Sequence, residues 1–307
     1  MQQMRVLVTG ASGFIGRALC DALVRDGHEA LALVRREGSE PPGTRAVRGD
    51  LRDGAALTAA LAVERPGCVV HLAAEIASQR SERLLREVNV AGTERLLAAC
   101  TSLGDGAPRF VFCSTVVTGD AHGALLDEQT PLPVATPYGR SKQEGERMVA
   151  ASGLPSVIVR PSHVYGPGGW YADELVARLR QPGRFAVIGS GANLWDVVHV
   201  DDVVAALMLA VEQAPPGSLY HVVDDEPITF YDFMRSTAEA LGVGPPRRIP
   251  AALARIVAGR NAVDAVVRSA RSSNARIKTE LGWSPRFPTA RAGIADSVAR
   301  IAAAPAA

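Results

Sequence analysis

The amino-acid sequence predicts an α/β protein built on a doubly wound parallel sheet, and three observations support that prediction. Short apolar runs alternate along the N-terminal half with segments whose apolar side chains recur at helical spacing. A glycine-rich turn, Gly10-Ala11-Ser12-Gly13-Phe14-Ile15-Gly16, directly follows the first apolar run. The 307 residues are 47% hydrophobic and 21% charged, which is typical of a globular chain with a sizeable core. Such alternation places helices on both faces of a Rossmann-like sheet.

Charge and composition argue against several classes of partner. The 33 basic and 32 acidic residues leave a net charge of +1, which provides no general attraction for nucleic acid or an anionic membrane. No apolar run reaches the roughly 20 residues that cross a bilayer, and no secretory pattern precedes the glycine turn. The four cysteines are widely spaced and form no metal-binding pattern, so we expect buried thiols in a reducing cytoplasm and no metal.

The glycine-rich turn is predicted to hold the phosphates of a dinucleotide. An apolar strand over 6–8, a helix ending before Gly27 and a second strand over 30–34 form the βαβ unit that such a turn requires. Gly10 allows the tight turn, Gly13 leaves room for a pyrophosphate, and Gly16 lets the helix pack against the strand. The helix N-terminus then directs free N–H groups at the anion.

Two arginines end the second strand and indicate which nucleotide binds. An NAD-binding protein usually carries a carboxylate at this place for the ribose 2′-hydroxyl. Here the chain reads Val34-Arg35-Arg36, and guanidinium groups suit a 2′-phosphate. The alternative is a pair of solvated arginines. We therefore predict NADP(H) in preference to NAD(H), with Asp50 at the end of the third strand accepting from the adenine amino group.

Further strands end where the cofactor is expected, at the carboxyl edge of the sheet. A fourth strand ends at His71-Leu72-Ala73-Ala74, and its small alanines would let the backbone pass near the dinucleotide. His71 itself is interpreted as a core histidine. Asn89 either contacts the ligand or ties local backbone together.

Tyr138 and Lys142 are predicted to share one face of a helix, because they are four residues apart. A phenol has a pKa of about 10, and a neighbouring ammonium favours its ionised form. Ser114, at the end of the fifth strand, would hydrogen-bond a substrate oxygen beside that phenol. The three side chains together predict general acid–base chemistry on a carbonyl or hydroxyl group.

With these residues in this order, the chain resembles the extended short-chain dehydrogenase/reductase family, the group that is NAD-dependent epimerase/dehydratase-like. The resemblance covers nearly the whole sequence and is carried by these segments: 9–16, Asp50-Leu51, 71–74, 89–93, Ser114, Tyr138 with Lys142, and 160–167. It implies that Ser114, Tyr138 and Lys142 are the catalytic triad and that the protein is a homodimer. The implied cofactor contacts are Gly10, Ser12, Gly13, Phe14, Ile15, Gly16, Arg35, Arg36, Asp50, Leu51, Leu72, Ala73, Ala74, Asn89, Tyr138, Lys142, Pro161, His163 and Val164.

The resemblance also implies two parts of the chain. Residues 1–165 form the dinucleotide-binding core, with returning segments near 190–225, and 166–307 form mainly a smaller, discontinuous substrate-binding lobe. Many nucleotide-sugar relatives carry an arginine where this chain has Leu194-Trp195-Asp196, which supplies no cation. Other possible phosphate ligands are Arg178, Arg180, Arg184, Arg247 and Arg248. The candidate substrate contacts are Glu75, Thr115, Val116, His163, Trp170, Tyr171 and Trp195, of which the three aromatic rings are equally compatible with the core.

The leading hypothesis is an NADP(H)-dependent oxidoreductase that interconverts a ketone and a secondary alcohol on a small, partly hydrophobic or ring-containing substrate. One alternative is a nucleotide-sugar epimerase, dehydratase or 4-ketoreductase. Another is a non-catalytic NADP(H)-binding sensor or assembly subunit, against which the intact set of Ser114, Tyr138 and Lys142 argues.

Overall fold

A computed structural model describes residues 3–76, 79, 81–181, 185–250 and 268–304. Its central sheet has seven parallel strands: β1 Arg5–Thr9, β2 Glu29–Val34, β3 Arg45–Arg48, β4 Cys68–His71, β5 Arg109–Cys113, β7 Ser156–Pro161 and β12 Ser218–Val222. Their order is β12-β7-β5-β4-β1-β2-β3. The chain reverses direction of travel across the sheet between β1 and β4, which opens a crevice at their carboxyl ends. The predicted Rossmann-like α/β fold is confirmed.

Short strands form four two-stranded pairs outside this sheet. They are β6 Leu125–Leu126, β8 His163–Tyr165, β9 Ala186–Ile188, β10 Leu194–Trp195, β11 Val197–His199, β13 Ile228–Thr229, β14 Arg247–Ile249 and β15 Arg271–Ser272. The pairs join β8 with β11, β9 with β14, β10 with β13, and β6 with β15. Two of these pairs, β8–β11 and β10–β13, place His163 and Trp195 near each other.

The α-helices of the described residues are α1 Phe14–Arg25, α2 Gly54–Glu64, α3 Glu82–Leu85, α4 Gly92–Thr101, α5 Pro137–Ala151, α6 Ala177–Leu179, α7 Val200–Glu212, α8 Phe230–Ala240, α9 Ala275–Leu281 and α10 Ala290–Ala303. Single π-helical turns occur at Arg86–Ala91 and Tyr171–Val176, and a 3₁₀ turn at Gly104–Gly106. No helix in the described ranges is long and apolar enough to span a membrane.

Alternation along the strands assigns each side chain to one face of the sheet. Val6 and Val8 pack in one core cluster with side chains of α1 and α7. Leu7, which points the other way, packs in a second cluster with α2, α4 and α5. A third cluster around Tyr165 and Phe233 lies among α8, α10 and the shorter strands. The cysteines are free and buried, as expected.

Candidate active site

The glycine-rich turn closes tightly against the end of β4. Gly10 has a φ of 69°, and a Cβ on it would lie 2.7 Å from the backbone nitrogen of Ala73. A Cβ on Gly16 would lie 2.1 Å from the carbonyl oxygen of Gly10. No side chain caps the N-terminus of α1, which begins at Phe14. The turn therefore presents unobstructed backbone N–H groups, which fit the pyrophosphate of a dinucleotide.

Arg35 and Arg36 lie exposed immediately after β2, beside the same crevice. The Asp50 carboxylate is held by Arg52, whose Nη2 lies 2.7 Å from Oδ2. The hydrogen bond from Arg52 lowers the pKa of Asp50, and the charge of Arg35 adds a smaller effect in the same direction. The adenine contact predicted for Asp50 thus competes with an existing ion pair, and it stays a prediction.

Ser114 follows β5 with its hydroxyl buried, and that Oγ has no hydrogen-bond partner in the described part of the chain. The loop after Ser114 is bonded to the segment before α5, because Ala135 N donates to Thr118 O at 3.0 Å. Thr136 then caps α5 by accepting from Gly139 N at 3.0 Å. Tyr138, in the first turn of α5, lies close enough to Cys113 at the end of β5 for that residue to affect its pKa. An unsatisfied buried hydroxyl is costly, so the arrangement is suited to a polar ligand atom.

Lys142 lies one helical turn after Tyr138 and is only 4% exposed. Its Nζ stands 4.4 Å from the centre of the Phe112 ring, and it makes no hydrogen bond or ion pair with the residues described. Burial lowers the pKa of Lys142. Burial, with a smaller effect of Cys113, also raises the pKa of Tyr138. Lys142 is not among the groups that shift the pKa of Tyr138 in the protein alone, so the expected effect of this ammonium on the phenol stays a prediction.

A narrow pocket next to this site surrounds His163. The ring of His163 stacks on Trp195 with centres 4.2 Å apart, and its Nδ1 donates to the Asp196 carbonyl oxygen at 2.9 Å. That bond leaves Nε2 as an acceptor, which receives a hydrogen bond from Arg268 Nη2 at 2.6 Å. Val116 and Leu194 contribute apolar wall to the same pocket. Arg268 thus places a cation beside the Leu194-Trp195-Asp196 segment, which itself supplies none.

Comparison with a family model decides the family of this chain. The model of the NAD dependent epimerase/dehydratase family matches residues 6–222. The chain belongs to that family. It is accordingly an extended short-chain dehydrogenase/reductase, an NAD(P)-dependent enzyme.

The chain is similar to two reductases over most of its length. It is 36% identical to a 3-diazoavenalumate denitrifying reductase from a Streptomyces species, over 95% of this chain and 99% of that one. It is 32% identical to a 2-alkyl-3-oxoalkanoate reductase from Stenotrophomonas maltophilia, over 80% and 77%. Among solved structures, it resembles a UDP-glucose 4-epimerase from Thermus thermophilus in complex with NAD, with a TM-score of 0.82, 27% identity and coverage of 98% and 100%.

Two residues near the predicted site, His71 and Asn89, form hydrogen bonds within the protein. His71 bonds the hydroxyls of Thr9 at 2.7 Å and Thr93 at 2.9 Å, so its interpretation as a satisfied core histidine is confirmed. Asn89 Oδ1 accepts from Glu75 N at 2.8 Å, and its Nδ2 donates to Glu75 O at 2.9 Å and Ser141 Oγ at 3.0 Å. Asn89 therefore joins the end of β4 to α5, and a direct contact with the cofactor stays a prediction.

The aromatic residues divide between core and site. Tyr171 is fully buried against Tyr165 and Phe233, so it belongs to the core and its assignment to the substrate is wrong. Trp195 lines the His163 pocket, and Trp170 is half-buried with Nε1 donating to Val164 O at 2.7 Å. Thr115 is buried and donates to Pro161 O at 3.1 Å, which ties the loop after β5 to β7.

The predicted phosphate ligands in the described part of the chain do not line the His163 pocket. Arg178 and Arg180 are exposed, and Arg247 and Arg248 lie on β14, where Arg248 stacks over Tyr231 at 3.8 Å. Arg184 lies outside the described residues. The residue that does line the pocket, Arg268, follows His163 by more than a hundred positions, and no local periodicity or motif marks it.

Proposed function

We propose that this enzyme is an NADP(H)-dependent ketoreductase that acts on a small, partly hydrophobic or ring-containing substrate. The observation that carries the proposal is the buried, unpartnered hydroxyl of Ser114 near the helix turn that bears Tyr138 and Lys142. An alcohol donor, a phenol and an ammonium at one place match the needs of a carbonyl group that becomes an alkoxide. We assign the cofactor to the Rossmann-like core and the substrate to the smaller lobe.

Each side chain has one task in the reductive direction. When bound, the reduced nicotinamide supplies hydride to the carbonyl carbon. Ser114 donates a hydrogen bond to the carbonyl oxygen and holds it beside the phenol. Tyr138 gives its proton to that oxygen, so the ketone, one hydride and one proton become a secondary alcohol. Lys142 stabilises the phenolate left on Tyr138 and binds the nicotinamide ribose.

The cofactor cradle and the similar proteins support this assignment. Gly10 and Gly16 leave a turn that side chains would obstruct, and Arg35 with Arg36 supplies positive charge where a 2′-phosphate would lie. Both reductases to which the chain is similar carry reductive chemistry in their names, and one of them acts on a 3-oxoalkanoate. A homodimer in the cytoplasm stays a prediction.

A second candidate is a nucleotide-sugar epimerase or dehydratase, which the likeness to a UDP-glucose 4-epimerase favours. The fate of the cofactor separates the two functions. An oxidoreductase exchanges its cofactor in every cycle, whereas an epimerase regenerates it in place. We expect the purified protein to be partly or wholly free of nicotinamide and to consume one NADPH per alcohol formed from a ketone.

The decisive measurements are the nicotinamide content of the purified protein and the product-to-NADPH ratio. The same preparation is incubated with UDP-glucose as a control. Tightly retained NAD, together with interconversion of UDP-sugars, would exclude the ketoreductase. In that case the absorbance of reduced nicotinamide, at about 340 nm, would show no net change.

A further inference from the structure

Arg268 is a half-buried cation, and the charges of Asp196 and Asp120 act on it without forming an ion pair. Its guanidinium donates to the neutral ring of His163, and it forms no ion pair within the described part of the chain. Burial lowers the pKa of Arg268 to about 10, which still leaves it charged at neutral pH. A guanidinium withdrawn from water is costly unless an anion accepts its remaining N–H groups.

The carboxyl group that lines the same pocket, Asp196, fills that role only in part. It is 6% exposed, and its Oδ2 has no hydrogen-bond partner among the residues described. Burial raises the pKa of Asp196 to about 7, although Ser272, Arg268 and Arg271 act in the opposite direction, so about half of the Asp196 carboxyl groups are protonated at neutral pH. The pocket therefore keeps part of the positive charge of Arg268 when a ligand arrives.

The pocket is narrow and mostly apolar around this charge. Its enclosed space is about 10 Å³, which is room for about one water-sized group. Val116, Leu194 and the ring of Trp195 form walls, and Arg268 is the sole cation among the described residues that line it. This space suits a small planar terminal group and does not suit a nucleoside diphosphate, which carries more charge than one guanidinium neutralises.

The pocket also adjoins the proposed reaction centre. Val116 follows Ser114 by two residues, and its N–H donates to Pro161 O at 3.1 Å. His163, which Arg268 holds, follows Pro161 by two residues on β8. A ligand with one end against Arg268 would therefore extend past Val116 towards the Ser114 hydroxyl.

We propose that Arg268 is a specificity-determining residue that binds a carboxylate of the substrate, so that the substrates are keto acids with an apolar body. The inference rests on the proposed ketoreductase function. The planar guanidinium offers two parallel N–H donors to the two carboxylate oxygens. His163 positions that guanidinium by accepting from Nη2, and it keeps the remaining donors free for the ligand.

The first test measures binding without any reaction. Octanoate and octanamide have the same shape but differ in charge, and their dissociation constants are measured by calorimetry with wild type and Arg268→Gln. We expect wild type to bind octanoate at least about tenfold more tightly than octanamide, as charge-assisted hydrogen bonds do. Arg268→Gln should lose that difference, and Arg268→Lys should keep part of it, because the charge remains but the planar pair of donors is lost.

Controls separate this role from a structural one. Arg271→Gln changes an exposed arginine of the same segment, whose Nε donates to Gly123 O at 3.0 Å, and it should bind octanoate as wild type does. Thermal unfolding checks that each variant is folded. Equal affinity of the wild type for octanoate and octanamide would overturn the proposal. It would also be overturned if UDP bound through Arg268 more tightly than octanoate does.

The second test uses turnover and distinguishes failure of the two proposals. With NADPH, 3-oxooctanoate should have at least about a tenfold higher kcat/KM than its methyl ester, and Arg268→Gln should lower only the value for the acid, mainly through KM. If the ester is reduced as efficiently as the acid, the ketoreductase stands and the carboxylate site falls. If neither compound is reduced but octanoate still binds through Arg268, the ketoreductase falls and the anion site stands.

Discussion

Tyr138 is the residue on which the proposed proton transfer depends. Tyr138→Phe keeps the ring and its packing but removes the proton donor. We expect kcat to fall by at least about 10²-fold, which is the usual contribution of general acid catalysis. Cofactor affinity should change little, because no phosphate contact is assigned to the hydroxyl. Steady-state kinetics and NADPH titration by fluorescence measure both quantities, and a variant that keeps more than half of wild-type kcat would contradict the assignment.

Arg35 and Arg36 are the residues that decide nucleotide preference in our proposal. Both are exposed and follow β2, and Arg35 lies close enough to Asp50 to affect its pKa. We expect NADPH to bind about tenfold or more tightly than NADH, a difference of about 1.4 kcal/mol per tenfold. The double variant Arg35→Ala/Arg36→Ala should lose most of that preference. Arg48→Ala is the matched control, because Arg48 is an exposed arginine at the end of the neighbouring strand β3. Equal affinities of the wild type for NADPH and NADH would contradict the assignment of Arg35 and Arg36 to the 2′-phosphate.

At the scale of elements, β5 supports α5 through Phe112. The centre of the Phe112 ring lies 4.4 Å from Lys142 Nζ. Burial lowers the pKa of this ammonium, and the charges of Cys113 and Glu146 raise it. A ring face stabilises a desolvated cation by about 0.5–2 kcal/mol. Phe112 therefore helps keep Lys142 protonated, although it contacts neither substrate nor cofactor in our assignment, which makes it a positioning residue.

Phe112→Leu should lower the pKa of Lys142, because it removes the ring that favours the charged form. The catalytic form needs protonated Lys142, so the alkaline limb of the kcat profile should move to lower pH by about one unit, at 1.36 kcal/mol per unit. Phe110→Leu is the matched control, because it is the same change two residues earlier on β5. The centre of the Phe110 ring lies 6.0 Å from the centre of the His71 ring, so this phenylalanine faces His71 instead of the lysine. An alkaline limb that moves equally in both variants would show a general effect on packing.

Elements with a local signature were predictable, whereas contacts across elements were not. The turn at Gly10, the helix over Tyr138 and Lys142, and the buried strands follow from spacing and side-chain periodicity. Arg268 and Asp196 approach His163 only through the pairing of short strands far apart in the chain. The raised pKa of Tyr138 was not predictable for a related reason, because the extent of burial depends on packing that a local motif does not specify.

The whole molecule contains buried ionisable groups whose proton binding differs between folded and unfolded chains. Burial holds the pKa of His71 and of His221 at about 3, against about 6.5 in an unfolded chain. Between these values the unfolded chain binds protons that the folded protein does not. These histidines therefore contribute stability that is complete above pH 6.5 and is lost as the pH falls.

Buried aspartates act in the opposite direction on the alkaline side. Burial raises the pKa of Asp224 to about 9, and neither of its carboxyl oxygens has a hydrogen-bond partner in the described ranges. Above the unfolded pKa of about 3.9, the folded protein keeps a proton that the unfolded chain has released. The stability associated with this proton is complete below pH 3.9 and is lost as the pH rises to about 9.

The free energy of unfolding should therefore be greatest near pH 6.5. Below that value more histidines lose stability than aspartates regain, since His199 also has its pKa lowered, to about 4. Between pH 7 and 9 the histidine contributions are constant, and Asp224 should contribute a decline of about 1.4 kcal/mol per pH unit. Urea unfolding of cofactor-free protein across pH 5–9 measures this profile.

Asp224→Asn, which resembles the protonated acid, should flatten the decline above pH 7. Asp225→Asn, at the neighbouring position that bonds Lys278, should leave the decline unchanged. A wild-type profile that is level from pH 7 to 9 would show that Asp224 is ionised in the folded protein.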